Sequence, residues 1–302
     1  MYFLSPEEMK FLQRDLIPKA RESGVADELR GWNWHDAPMH PPYDVTLALH
    51  EVAGKYCSTG RDVYMRRVQG QKSAPGTPML AGAAYHGCVV QVMGEAKRLI
   101  YSYGPREMER IAEELRRFRP ELPLDLSEAQ ALSLRPSLDK IRNFEVSRIL
   151  GRISDILSQQ PFIGPDSLVA SAIPVTCEHR LNGSFLGLSS LLSCDAASLG
   201  GTMVYDLKFG RKRDFHRLTA TGYALVMESL WDLPVDFGCI VYVDLRGPVP
   251  AVTRDLFFIG DELRQWFIDE RDDKMRIVSE ELDPGVSAEC YEYCEFREQC
   301  RK

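Results

Sequence analysis

The sequence lacks any run of about 18 apolar residues, so it offers no candidate for a membrane-spanning helix. Its start, Met1 to Glu8, lacks the basic region and long apolar core of a secretory signal, and a cytoplasmic location is expected. It contains no internal repeat and no low-complexity tract, which sets aside repeat arrays. A basic excess is missing too: 37 Lys and Arg stand against 44 Asp and Glu, for a net charge of −7. That balance opposes nucleic-acid binding over the surface as a whole, but not a local basic channel. The paired C-x2-C knuckles of common zinc ribbons are also absent.

What is present is ordinary for a soluble globular chain: 44% hydrophobic and 27% charged residues over a length of 302, enough for one large or two modest domains. Eight cysteines without a secretion signal point to metal or redox chemistry in preference to disulfides.

The most informative stretch runs from Ser193 to Gly210. Gly200-Gly201 is a two-residue turn signal, because both central positions of the favoured hairpin turn need positive φ. Folding the chain there sets Leu199 opposite Thr202, Ala197 opposite Val204 and Asp195 opposite Asp206. Opposed residues have Cβ atoms about 4.5–5.5 Å apart, and like charges so placed destabilise the pair unless a cation lies between them. Alternation puts Lys208 on the Asp206 face, with Tyr205 and Leu207 on the other. Two carboxylates suit Mg²⁺ or Mn²⁺, and an adjacent lysine can orient water or offset charge developing on a phosphate. Asp-x-Lys alone is a weak motif, and a surface hairpin with an Asp–Lys ion pair carries the same residues. Lys208 and Arg211-Lys212-Arg213 make the local charge positive.

In chain order, Ser5, Pro6 and Glu8 form a capping box for a helix reaching about Ala20, with Met9, Leu12 and Leu16 on one face. Arg30-Gly31-Trp32-Asn33-Trp34 is an aromatic loop, able to stack on bases but read first as plugged into the core by its tryptophans. Val45, Leu47 and Leu49 alternate as a short strand. Helical sequence follows around Cys57 and Arg61 to Arg67, then a polar loop from Gln69 to Thr77. A long helix from Pro78 to about Tyr101 carries His86 on a mostly apolar face with Met79, Ala83, Val90, Met93 and Lys97. Pro105 to Arg119 reads as a solvated helix, Leu122 to Pro136 as an interrupted linker with a short helix, and Ser137 to Gln159 as another helix. Its Arg142, Arg148 and Arg152 are either ordinary surface charge or the wall of a DNA path. Strands are expected at Ile173 to Leu181 and Ser184 to Ser193, around an Asn182-Gly183 turn. A helix follows from Asp214 to Leu230, then strands at Gly238 to Asp244 and Ala251 to Ile259, and a long helix from Gly260 to Leu282.

Cys290, Cys294 and Cys300 crowd the tail as three ligands of a tetrahedral thiolate site. Cys57, at a helix break beside Ser58-Thr59-Gly60, is the best candidate for the fourth. Thiolate count does not separate Zn²⁺ from an iron–sulfur cluster.

One N-terminal cysteine, three C-terminal cysteines and an interposed Asp…Asp-x-Lys core resemble the CRISPR-associated RecB-like exonucleases of the Cas-four family. Phe3 to Glu8 and Arg30 to Trp34 look like its archaeal type I-A (Csa-one) branch, and the likeness covers essentially the whole chain. It implies an α/β fold: a PD-(D/E)xK (RecB-like) nuclease core with a mixed central sheet flanked by helices, a helical lobe and an iron–sulfur region joining the termini. The composite domain would comprise an N-terminal helical region (1–104), a helical insertion (105–165), the core (166–282) and a cluster tail (283–302).

By resemblance His86, Asp195, Asp206 and the Leu207 carbonyl would hold Mg²⁺ or Mn²⁺, Lys208 would act in catalysis, and Tyr223 would contact DNA or support the site. Cys57, Cys290, Cys294 and Cys300 would hold a [4Fe–4S] cluster, with Arg61 and Tyr64 in the run after the first cysteine. Thr219 replaces a common glutamine and Leu192 a common glycine. The implied activity is trimming of single-stranded DNA ends, often 5′ to 3′, to supply prespacers to the CRISPR integrase (Cas-one/Cas-two). A non-catalytic iron–sulfur DNA-binding scaffold of spacer acquisition and a RecB-like repair nuclease outside CRISPR are the alternatives.

Overall fold

The computed structural model describes all residues except 73–75, 124–125, 199–201, 289, 292 and 301–302. Five strands form one sheet in the order of the chain: β1 (Val175–Leu181), β2 (Leu192–Ser198), β3 (Met203–Lys208), β4 (Phe237–Asp244) and β5 (Ala251–Phe258). All neighbours are antiparallel except β3 and β4, which are parallel. A parallel pair needs a crossover, which the helix His216–Trp231 supplies.

Alternation along β3 divides the molecule into layers. Met203, Tyr205 and Leu207 point into one core with Cys239 and Val241, under the helices Thr77–Tyr103, Glu128–Gln159 and Pro165–Ala172 and the side chains of Met1, Tyr2 and Phe3. Val204, with Ile240 and Tyr242 of β4, points into the other, under the crossover helix and the helix Asp261–Ser279. The fold is therefore mixed α/β, a five-stranded mixed sheet between helical layers. No helix among the described residues is long and apolar enough to cross a membrane.

The second core is tied together by one buried ion network. Glu228 binds Arg264 through both oxygens, at 2.7 and 2.9 Å, binds Arg30 at 2.8 Å, and accepts the Gly31 and Val235 N–H groups. This is what plugs the Arg30–Trp34 loop into the core. Trp34 instead stacks on Phe185 at 4.3 Å, and both tryptophans stay half-buried. Gly31 lies so close to the crossover helix that a Cβ there would sit 2.0 Å from the Leu225 carbonyl oxygen.

Several elements differ from the sequence reading. The first helix starts with the Ser5 capping box but changes at Leu12–Leu16 into a π-helical turn before resuming at Ile17. Pro18 lacks the N–H and crowds the carbonyl four residues back, so the turn before it widens. Met9 is exposed.

Val45–Leu49 is not a strand. Leu47 makes one isolated bridge to Leu188, and Leu49 opens a helix whose first turn is fixed by Glu51 accepting the Ala48 N–H at 2.8 Å.

The expected linker is helical from Glu128 onward: the helix Glu128–Gln159 runs straight through Pro136. The carbonyl that this proline leaves free belongs to Leu132, which is exposed to water, while Leu138, Ile141, Glu145 and Ile149 keep the buried face periodic.

Asn182-Gly183 is not a tight hairpin turn. Residues 182–191 form a longer connection with a 3₁₀ turn at Ser184–Leu186, because Leu186 and Leu188 are pulled into the second core.

The arginines do not line a surface path either. Arg148 donates to the Phe3 carbonyl and Arg152 to the Ala172 and Ser171 carbonyls, and Arg142 is buried against the Arg116 and Phe118 carbonyls. They tie helices and the N-terminal segment together.

Candidate active site and cysteine pocket

The β2–β3 hairpin keeps the register expected from folding the chain at Gly200-Gly201, with Ala197 opposite Val204 and Ala196 opposite Tyr205. The Gly200-Gly201 turn and the Leu199 position lie outside the described residues. Toward the acids the ladder stops. In place of continued backbone pairing, Asp195 Oδ2 accepts the Leu207 N–H at 2.8 Å. The carboxylate thus occupies the opening where the strands part. Glu178, which the register of β1 sets beside Asp195, has φ of 49°, and Cys194 and Ala196 lie in different cores although they are two residues apart. A positive φ on a non-glycine residue and a lost alternation mark a kink in the strand, of the kind that re-aims a side chain.

Around this opening four of the expected residues converge. Asp206, 2% exposed, is held by Lys208, whose Nζ lies 3.0 Å from Oδ1 and 2.8 Å from Oδ2. The contact to Oδ2 lacks hydrogen-bond direction, so that oxygen is buried without a directed donor. His86, from the middle of the long helix Thr77–Tyr103, brings Nδ1 to 3.3 Å from Asp195 Oδ2. Burial, opposed by His86 and reinforced by Asp206, pushes the Asp195 carboxyl up to about 6. Burial pulls the Lys208 ammonium down, but Asp206 and Asp195 outweigh it, and the net displacement is upward.

A buried Asp206 with one undirected oxygen and a half-buried Asp195 whose carboxyl resists ionising form a donor set short of positive charge, which is the chemistry a divalent cation fits. Among the described residues no three His, Cys, Asp or Glu side chains are drawn into a ready-made metal cage.

Tyr223, on the crossover helix, is buried and donates its hydroxyl to the Ser193 carbonyl. It braces β2 two residues before Asp195.

Two further groups escaped sequence reading. Tyr2 packs edge-on against Tyr205 at 5.7 Å and buries an unpartnered hydroxyl where Asp195 and Asp206 both act on it. Nothing local in Met1–Phe3 signals this, since the contact spans most of the chain. His216 lies buried between two phenols, Tyr56 at 3.2 Å and Tyr242 at 3.1 Å. Burial first, then Lys208, drives its imidazole down to about 4, so it stays neutral. Tyr242 is the β4 partner of Lys208, and that pairing could have pointed to it once the parallel register was known.

Cys57, Cys290, Cys294 and Cys300 line one pocket together with Tyr56, Tyr291 and Phe296. Cys57 lies in the turn before the helix Arg61–Arg67, not in a helix. The tail is pinned over it by several contacts. Arg61 reaches the Cys300 carbonyl at 2.8 Å and its Sγ at 3.2 Å, and is itself clamped by Asp283. Thr59 donates to the Gly285 carbonyl at 3.0 Å, Arg66 pairs with Glu295, and Phe296 is buried. The Cys294 thiol is pushed up to about 11 by burial, with Cys290 and Cys57 adding to it, so a cation here would be needed to hold it as a thiolate. The residues fit a thiolate-bound metal group. Cys88, Cys177, Cys194 and Cys239 lie elsewhere in the sheet and first helical layer.

With this geometry in hand, comparison with known proteins is direct. The family model described as CRISPR-associated exonuclease Csa1 matches residues 1–302. A protein of that name from Saccharolobus solfataricus is 30% identical over 301 residues, covering 99% of both chains. Another of that name, from Thermoproteus tenax, is 27% identical over 277 residues, covering 92% of both. This chain therefore belongs to the CRISPR-associated exonuclease Csa1 family.

Proposed function

We propose that this protein is a divalent-metal-dependent DNA exonuclease with a PD-(D/E)xK core, acting on single-stranded ends, and that its cysteine pocket holds a [4Fe–4S] cluster. The observation that carries the reading is the opening at Asp195. It gathers the buried Asp206, the half-buried Asp195, Lys208 and His86 around an oxygen that lacks a directed donor. His86, Asp195, Asp206 and the Leu207 carbonyl would hold Mg²⁺ or Mn²⁺. Bound there, the ion supplies a polarised phosphate and a water of lowered pKa.

The chain's own groups do the rest. Lys208 presents a fixed ammonium beside Asp206, in a low-dielectric pocket, where it offsets charge gathering on the phosphate and orients the attacking water. The Asp195 contact with the Leu207 N–H keeps the strands parted. Tyr223 holds the Ser193 carbonyl, and through it the approach of β2 to the site. Tyr223 is accordingly a positioning residue. The cluster is structural: with Cys57 before the helix Arg61–Arg67 and three cysteines in the tail, it fastens the tail to the body. Trimmed ends would feed the CRISPR integrase as prespacers. Local positive charge at Lys208 and at the exposed Arg211 and Arg213 supports DNA as substrate on a chain that is acidic overall.

The deciding test is Lys208→Ala with a labelled single-stranded DNA. Loss of one preorganised electrostatic group is expected to lower cleavage about 10²–10³-fold with binding retained. A scaffold without catalysis would show no cleavage in the parent protein and no change in the variant.

A further inference from the structure

A chain of aromatic rings leads away from Lys208 toward the cysteine tail. Tyr242, the β4 partner of Lys208, contacts His216, and His216 contacts the Tyr56 hydroxyl. The Tyr56 ring lies 4.8 Å from that of Tyr291, and Tyr291 lies 5.6 Å from Tyr293. Tyr56 also packs edge-on against Phe215 at 4.9 Å, on the segment that follows the basic run Arg211 to Arg213. The first and last rings of the trio are open to water: Tyr56 is 43% and Tyr293 60% exposed. Burial of the tail does not explain them, because Phe296 already anchors that segment. Large rings left in water beside a basic run, and continuous with a nuclease site, have the two components of a single-strand path: π-faces for bases and cations for the backbone.

We propose that Tyr56 and Tyr293, with Tyr291 as the ring between them, are a stacking platform for the bases of the single strand whose phosphate lies at Lys208. This rests on the nuclease reading above. Arg211 and Arg213, exposed on the same connection after β3, track the backbone. The platform also gives the cysteine pocket a second role. Tyr291 and Tyr293 lie between Cys290 and Cys294, so whatever holds those sulfurs also sets the rings. Such a platform favours unpaired over paired ends, since a duplex keeps its bases stacked on each other.

The test uses the full chain, purified anaerobically, in a Lys208→Ala background so that DNA stays intact. Binding of a short fluorescent single strand is measured by anisotropy, and a 2-aminopurine near its end reports stacking by quenching. Each of Tyr56→Ala and Tyr293→Ala is expected to weaken binding about fivefold to 150-fold, from ~1–3 kcal/mol per stacked base, and to relieve the quenching. Tyr293→Phe, which keeps the ring, is expected to bind and quench like the parent, and blunt-duplex affinity is expected to stay within about twofold. If Tyr293→Ala binds and quenches as the parent does, the platform is wrong while the nuclease site stands. If the parent protein binds no DNA at all, the nuclease reading and the platform fall together. If Tyr293→Phe is as weak as Tyr293→Ala, the hydroxyl and not the ring is responsible, and stacking is refuted.

Discussion

Asp195→Asn, measured without metal, isolates the electrostatic cost of the site. The Asp195 carboxyl stands at about 6 against an ordinary 3.8. At ~1.36 kcal/mol per pH unit, that displacement is on the order of 3 kcal/mol of folding free energy. The sign follows from proton linkage: the folded state holds its proton more tightly than the unfolded chain. The contribution is therefore fully present below about pH 4 and lost as pH rises through about 6, leaving the ionised acid as a burden at neutral pH. Asn keeps an oxygen to accept the Leu207 N–H and removes the charge. Chelator-treated Asp195→Asn should therefore unfold later than the parent at about pH 7.5, by ~5 °C for a chain of this length, and with roughly a third of that gain at about pH 4.5. Mg²⁺ or Mn²⁺ should then stabilise the parent and not the variant. Calorimetry on both proteins at both pH values checks it. A variant that melts below its parent at pH about 7.5, or gains as much at about 4.5, would refute the reasoning.

Three other outcomes follow from the same structure. Glu228→Ala strands the buried Arg264 and Arg30 charges and should cost about 3–5 kcal/mol in chemical unfolding, far more than loss of an exposed pair such as Arg117–Glu113. Gly31→Ala has no room beside the Leu225 carbonyl, so it should cost more than about 2 kcal/mol or yield little folded protein, as soluble expression and circular dichroism would report. Cys294→Ser should empty the cysteine pocket of metal and lower the melting temperature, whereas Cys177→Ala, outside it, should retain the parent's iron or zinc content by elemental analysis.

Several local signals were read correctly. The Ser5–Glu8 capping box needs four residues, and it is there. The Ala197–Val204 register was expected from the position of the glycine pair between the two strands, and it is there. The apolar run of β4 marked it as interior, and it lies between β3 and β5. The misreadings share a cause. Val45–Leu49 and Ser184–Ser193 alternate like strands, but distant partners set their conformation: Leu47 and Leu188 bridge each other, and Leu186 sinks into the core beneath the crossover helix. Pro136 breaks an isolated helix, yet here a long buried face outweighs one lost hydrogen bond.

The candidate site divides the same way. Sequence alone determined which groups exist, how they are spaced, and which side of a strand each favours, because those are properties of neighbouring residues and a two-residue period. It therefore marked Asp195, Asp206, Lys208 and the three tail cysteines, with Cys57 as the best candidate for a fourth, whereas the ligand role of His86 came from the family resemblance. Tertiary structure decided the rest: that β2 and β3 part at Asp195, that Tyr223 spends its hydroxyl on the Ser193 backbone, and that Tyr2 and His216 stand beside the acids. Those features depend on contacts between segments far apart in the chain, and no local pattern encodes the distance between them.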